Sequence, residues 1–300
     1  MPLLVVGSIA FDSIRTLHAQ RDYVMGGSAI YSAFAASFFS PVRMMGIVGG
    51  DWPSDYMKLL QERQIDTRGI QIFPDQKTFH WKGRYFQDMN GRESLETDLN
   101  VYAQFDPIVP EVFRESPFVL LANAPPTIHL KVLSQLKDPQ LIVADTMDLW
   151  IQTEHAQLME LLPRLHGLVL NDSEAKMITE ASNTIQAGKQ IQAMGPRFVI
   201  IKKGEHGALY FDAERISIMP AYPTEVIVDP TGAGDCFLGG MLGYVASRNC
   251  VDGETLRQAM AYGTVLASFN VEGFSLERLR AVDNRHIEER LLAFQRMIAF

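Results

Sequence analysis

Short apolar runs alternate with helical patterns over most of the length of this chain. Residues 3–9, 43–48, 118–122, 141–144, 167–170 and 198–201 are short apolar runs of the kind that form fully buried strands. Between them apolar residues recur at helical spacing: 28–39, opened by a serine cap after two glycines, 54–63 with Tyr56, Leu59 and Leu60 inward, then around 127–136, 154–165 and 173–179. Strands separated by crossover helices imply right-handed units, hence a mostly parallel sheet covered on both faces. At 300 residues this is one large α/β domain with an appendage, or two domains.

Two segments depart from the rhythm. Residues 78–86 and 93–99 alternate residue by residue around Asp88-Met89-Asn90-Gly91, a strong hairpin signal. A hairpin with one free face does not belong inside a parallel sheet, so it is expected to project as a flap. Phe79, Trp81 and Tyr85 fall on one of its faces and His80, Lys82 and Arg84 on the other. In the last third, residues 208–211, 216–219 and 226–228 read as short strands. Helices follow from Gly232 to the end, the last with a core stripe of Ile287, Leu291, Phe294 and Ile298.

Acidic residues outnumber basic ones, 35 to 27, for a net charge of −8, which argues against a nucleic-acid binder driven by phosphate neutralisation. Residues 23–42 carry no charge over a membrane span's length, but Gly26, Gly27, four serines and Pro41 fit a buried helix better, so no membrane association is expected. Cys236 and Cys250 have no metal-ligand spacing, and the N-terminus lacks a basic leader, so the cytoplasm is the expected compartment.

The chemistry concentrates at Asp229-Pro230-Thr231-Gly232-Ala233-Gly234-Asp235, after a strand run and before a helix. Glycines at 232 and 234 allow close backbone approach, and the helix start aims unpaired N–H groups and a positive dipole end at an anion. Asp235 is a carboxylate inside that anion cradle. It is either a first-turn partner of the helix dipole or the base for an alcohol that attacks the bound anion, as phosphoryl transfer to a hydroxyl requires. A dinucleotide fingerprint fits poorly, because Phe237 stands where the third glycine belongs, and no P-loop is present.

The 229–235 segment resembles the C-terminal signature of the ribokinase-like (PfkB) carbohydrate kinases. Further matches follow in order: Gly7 to Asp12, Gly26-Gly27-Ser28-Ala29, Val48-Gly49-Gly50-Asp51, Asn171-Asp172-Ser173-Glu174 and Lys203-Gly204-Glu205-His206-Gly207. The resemblance implies a three-layer α/β/α fold over residues 1–300, with a small β lid from 10–25 and 70–103. It implies an ATP- and Mg²⁺-dependent kinase that phosphorylates a hydroxyl of a sugar or sugar-like molecule. Asp235 would be the base, and Gly232, Ala233 and Gly234 the anion hole. Asp12, Gly26, Gly27, Tyr31 and Asn123 would bind the acceptor, and Asn171, Lys203, Gly204, Gly207 and Gly263 the nucleotide. Glu174 would orient Mg²⁺ through water. Asp229 and Thr231, with the 270–275 loop, would hold a monovalent cation such as K⁺.

One position departs from the family pattern. Tyr31 stands where the family commonly has an asparagine that binds the sugar, and a phenol cannot donate and accept in one plane as a carboxamide does. Residues 267–273 are more similar to the archaeal nucleoside kinases of the family than to ribokinase. If the aromatic flap face meets the site, a flat group such as a nucleobase is favoured. If the basic face does, a sugar phosphate held by Lys82, Arg84 or Arg15 is, and the third alternative is that the aromatic face packs against the body or a second subunit. Free ribose is expected to be a poor acceptor, and the chain to be a monomer or a homodimer through the flap. The rival classes are a nucleotide-cofactor oxidoreductase and a non-catalytic sugar or nucleotide sensor.

Overall fold

Residues 1–299 are described in a computed structural model of the chain. Nine strands form one sheet in the order Ile216–Met219, Ala208–Phe211, Phe198–Lys202, Gly167–Asn171, Leu141–Asp145, Phe118–Leu121, Leu3–Val6, Val42–Gly49, Ile65–Phe73. The seven strands from Phe198–Lys202 to Ile65–Phe73 pair in parallel, and the first two add antiparallel at one edge.

Both faces of the sheet are covered, which explains why its strands read as continuous apolar runs rather than as alternation. Leu3 and Val5 pack on one side against the helices Ser28–Ala36, Ala233–Arg248, Gly253–Asn270 and Asn284–Ile298. Leu4 and Val6 pack on the other against Pro126–Leu133, His155–Leu161, Asp172–Thr179 and Thr184–Ala193. The uncharged 23–42 stretch contains the Ser28–Ala36 helix, all nine residues of which are buried. Its cap is not Ser28 but Gly27, at φ +98°. Ser28 Oγ is instead spent on the carbonyl of Asn123 (3.0 Å). No helix among the described residues is long and apolar enough to cross a membrane.

A second sheet of four strands, ordered Gln20–Gly26, Ala10–Arg15, Phe79–Tyr85, Arg92–Asp98, stands off the first as a lid. Of the 70–103 range, residues 70–73 instead belong to the edge strand of the large sheet. Residues 226–228 form no strand. They have no regular structure and bend at Val228, and the Val228 and Asp229 N–H groups both donate to the carbonyl of Val271.

Candidate active site

The carboxyl ends of the parallel strands converge on one region. Asp145, Asn171 and Lys202 are the last residues of their strands, and Ser8 and Asn123 follow the ends of theirs by two residues. This is where open α/β sheets bind ligands, around the point where strand order reverses, here at Leu3–Val6. The lid springs from the same end, which brings Asp12 and the Phe79–Tyr85 strand over it.

The turn before the Ala233–Arg248 helix lies between two cavities. Asp229 Oδ1 accepts the Thr231 N–H (2.9 Å), and Gly232 follows at φ +77°. A Cβ at Gly232 would stand 2.4 Å from the Tyr31 ring, so both the conformation and the space demand glycine. The Ala233 N–H, expected in the anion hole, is already donated to the Pro230 carbonyl (3.1 Å). The N–H groups of Gly232, Gly234 and Asp235 have no acceptor among the described residues, and they are the donors open to an anion.

On one side of this turn, a cavity of about 460 Å³ is lined by Lys202, Gly204, Gly207, Ala233, Gly234, Thr264 and Ser268, among others. Three nucleotide residues expected from the sequence do not line it. Lys203 lies past the strand end with its N–H on the Gly207 carbonyl (2.7 Å), and Lys202 takes its place in the cavity. Gly263 serves helix packing, since a Cβ there would stand 2.4 Å from the Phe237 carbonyl oxygen. Asn171 does not line the cavity either. It caps the Asp172–Thr179 helix in a reciprocal box with Glu174: each side chain accepts the other's N–H at 2.8 Å.

On the other side, a cavity of about 340 Å³ is lined by Asp12, Gly27, Tyr31, Asn123, Gly232 and Asp235, with the lid residues Phe79, Trp81 and Arg92 facing them. Gly26 is needed beside Asp12, because a Cβ there would lie 2.0 Å from the carboxylate. The Tyr31 hydroxyl donates to Asp12 Oδ2 at 3.5 Å. Asn123 Oδ1 accepts the Trp150 indole N–H (2.9 Å), which adds a second tryptophan to the lining. Trp81 is oriented by its N–H on Ser94 Oγ (3.0 Å) and lies over Gly83, where a Cβ would meet the indole at 2.1 Å. Phe79 stacks on Tyr102 (centroids 5.5 Å apart, 21° between planes). The aromatic face of the lid therefore meets the pocket. The basic face does not: His80 pairs with Ser13 (2.9 Å), Arg84 with Glu93, and none of Arg15, Lys82 and Arg84 lines either cavity.

The charges are crowded. Lys202 Nζ contacts Asp145 Oδ2 at 3.0 Å and lies near Gly234. Asp235 is pushed up to about 7, first by withdrawal from water and then by Asp145, against the pull of Lys202 and Arg92. Glu174 rises to about 7 for the same reasons. Burial, then the charges of Asp229 and Asp235, raise Asp12 to about 7. Burial alone would lower Lys202, but Asp145, Glu174 and Asp235 outweigh it and hold it above its ordinary value. A carboxylate poised near neutrality beside free N–H donors can take a proton from an alcohol while the donors hold a phosphoryl group. Arg92, Lys202, Asp145 and Trp150 were not legible as site residues. Counting strand ends would have found Asp145 and Lys202, whereas Arg92 and Trp150 carry no local mark.

The sequence profile of the family described as pfkB family carbohydrate kinase matches residues 3–278. The chain is 30% identical over 257 residues to the cytidine kinase of Thermococcus kodakarensis, an alignment covering 83% of this chain and 90% of that one. It is 24% identical over 304 residues to the nucleoside kinase of Methanothermobacter thermautotrophicus, covering 90% and 89%. The structure of the Burkholderia thailandensis nucleoside kinase in complex with inosine superposes with a TM-score of 0.81 at 20% identity, covering 99% of this chain and 97% of that one, which shows a shared fold.

Proposed function

We propose, on the premise that the chain belongs to the pfkB family of carbohydrate kinases and is a kinase, that it transfers the terminal phosphoryl group of ATP to a hydroxyl of a nucleoside. The observation that carries the acceptor is the aromatic lining of the smaller cavity. Phe79 and Trp81 face the Asp12 side with Trp150 nearby, and the only lid cation there, Arg92, is 5.7 Å from the Trp81 ring. Stacking a base on such a wall is worth about 1–3 kcal/mol, while a sugar phosphate would need the basic face that turns away. The relatives named for nucleosides point the same way.

ATP fits the larger cavity, whose rim is made by Gly204 and Gly207, with its terminal phosphate toward Gly234 and Lys202. Asp12, on the floor of the other cavity, suits the sugar hydroxyls. Asp235 takes the proton of the attacking hydroxyl as its oxygen bonds to the terminal phosphorus and the bond to the bridging oxygen breaks, releasing ADP. The N–H groups of Gly232, Gly234 and Asp235 receive the charge that develops on the transferred group. Tyr31 holds Asp12 and packs under Gly232, so a residue expected to touch the acceptor also shapes the turn.

The buried carboxylates Asp145 and Glu174 lie close enough for the charge of Asp145 to help raise Glu174, and two such oxygen donors suit Mg²⁺. When bound, that ion supplies charge neutralisation on the donor phosphates. Asp229 Oδ2 is buried without a hydrogen-bond partner, which fits a monovalent cation beside the 270–275 loop. The Thr231 carbonyl is instead occupied by Asn270 Nδ2 (2.7 Å). The test is ADP release with nucleosides, free pentoses and hexoses, and sugar phosphates offered side by side. Preference for nucleosides is expected, and efficient turnover of a sugar phosphate alone would overturn the acceptor assignment.

A further inference from the structure

The Asn90-Gly91 pair marks a tight turn, yet the Asn90 side chain is not used in making it. Asp88 Oδ1 holds the turn by accepting the N–H groups of Asn90 (3.1 Å) and Gly91 (3.0 Å), and the Phe86 N–H donates to the Gly91 carbonyl (2.9 Å). Asn90 Nδ2 instead donates to Glu205 Oε1 at 3.0 Å, in the short Gly204–His206 turn on the rim of the larger cavity. Gly204 sits at φ +55°, and a Cβ there would lie 2.8 Å from Asn90 Oδ1, so the two turns approach closely. Met89, at the tip of a hairpin, is only 8% exposed and packs with Ile14, Tyr85 and Phe274.

The same strand reaches the other cavity. Met89 and Asn90 line the larger one, and Phe79 and Trp81, earlier on the strand, line the smaller. Between them, the Tyr85 hydroxyl accepts from Thr231 Oγ1 (3.0 Å), one residue before Gly232. One strand and its turn therefore touch both cavities and the turn that separates them.

We propose that the lid turn 88–91 is part of the donor site, and that the Asn90–Glu205 hydrogen bond latches the lid to the nucleotide loop. Nucleotide binding and the seating of the aromatic wall over the acceptor are then one coupled event. This rests on the larger cavity being the ATP site. A nucleotide packed between Met89 and the 204–207 turn stabilises the seated lid, and by linkage the acceptor must tighten the nucleotide by the same factor.

The test is titration of the full chain with Mg²⁺ and ATP in the absence of any acceptor. Wild type, Asn90→Ala, Glu205→Ala, the double variant and Glu205→Gln are compared. Losing one side-chain hydrogen bond should weaken ATP by about two- to tenfold in either alanine variant. The double variant should lose no more, because both changes remove the same bond. Glu205→Gln keeps an accepting oxygen and should stay near wild type. Equal affinities across the series, or losses that add in the double variant, would overturn the latch. A wild-type chain that does not bind ATP would overturn the donor reading and the latch together. With no acceptor present, an error in the acceptor's identity leaves the result unchanged.

Discussion

Replacing Lys202 with methionine removes a charge and keeps the length of the side chain. Its ammonium touches Asp145 at 3.0 Å, with the two side chains 19% and 7% exposed. Removing one partner of such a pair leaves a carboxylate uncompensated, a loss of about 3–5 kcal/mol when fully buried. Lys202 retains some solvent, so a loss of roughly 2–4 kcal/mol at pH 8 is expected from denaturant unfolding. Lys202 also restrains the upward shifts of Asp235 and Glu174. A unit charge a few ångströms away at an effective dielectric of about 20 contributes roughly 2–4 kcal/mol. The acid limb of kcat, set in this account by Asp235, should therefore move to higher pH by at least about one unit. Turnover at its optimum should fall about 10²–10³-fold, because the cation near Gly234 no longer meets the transferred phosphoryl group. The assay is a kcat profile from pH 5.5 to 9.5 at saturating substrates (chosen to bracket the limb,), alongside unfolding at pH 8. An unmoved acid limb with wild-type stability would show that Lys202 neither compensates Asp145 nor acts on Asp235.

Asp235→Asn should lower turnover by about 10²–10⁴ while changing ATP affinity far less, measured by steady-state kinetics and direct titration. The same variant should be more stable than wild type. The folded-state value of Asp235, about 7, lies above the unfolded value of 3.8, so its contribution opposes folding increasingly as pH rises from about 4 to 7. The gain should reach about 1–4 kcal/mol at pH 8 and vanish near pH 4, and the reverse trend would contradict the burial of this carboxylate. Gly232→Ala must adopt φ +77° and push on the Tyr31 ring, so turnover should drop at least tenfold with no change in the residues that contact ATP's base. Activity should be stimulated by K⁺ over Na⁺ if Asp229 Oδ2 faces a cation, and equal rates in the two salts would remove that site from the account.

Much of the fold was legible because the large sheet is buried on both faces, so each strand is a self-contained apolar run whose meaning needs no distant residue. The turn at 229–235 was legible for a related reason: its glycines, its helix start and Asp235 are contiguous. What depended on register was not. Lys202 and Lys203 are adjacent, and only the strand's end at Lys202, opposite Asn171, decides which one enters the site. Residues 226–228 have strand-like side chains but no neighbouring strand to pair with, only the Val271 carbonyl. Gly263 resembles a ligand-facing glycine by position, and the close contact of two helices explains it instead. Arg92 lies among Glu93, Glu96 and Asp98 on a strand that is exposed along most of its length. Nothing local distinguishes it from a surface residue until the lid folds over.

The ratio of kcat/KM for a nucleoside to that for free ribose measures how far the acceptor is held by the aromatic wall. Trp81 and Phe79 should place the ratio above about 10² in the wild type, and Trp81→Ala should reduce it by about tenfold or more. A ratio near one, or a preference for ribose that Trp81→Ala leaves untouched, would contradict the account.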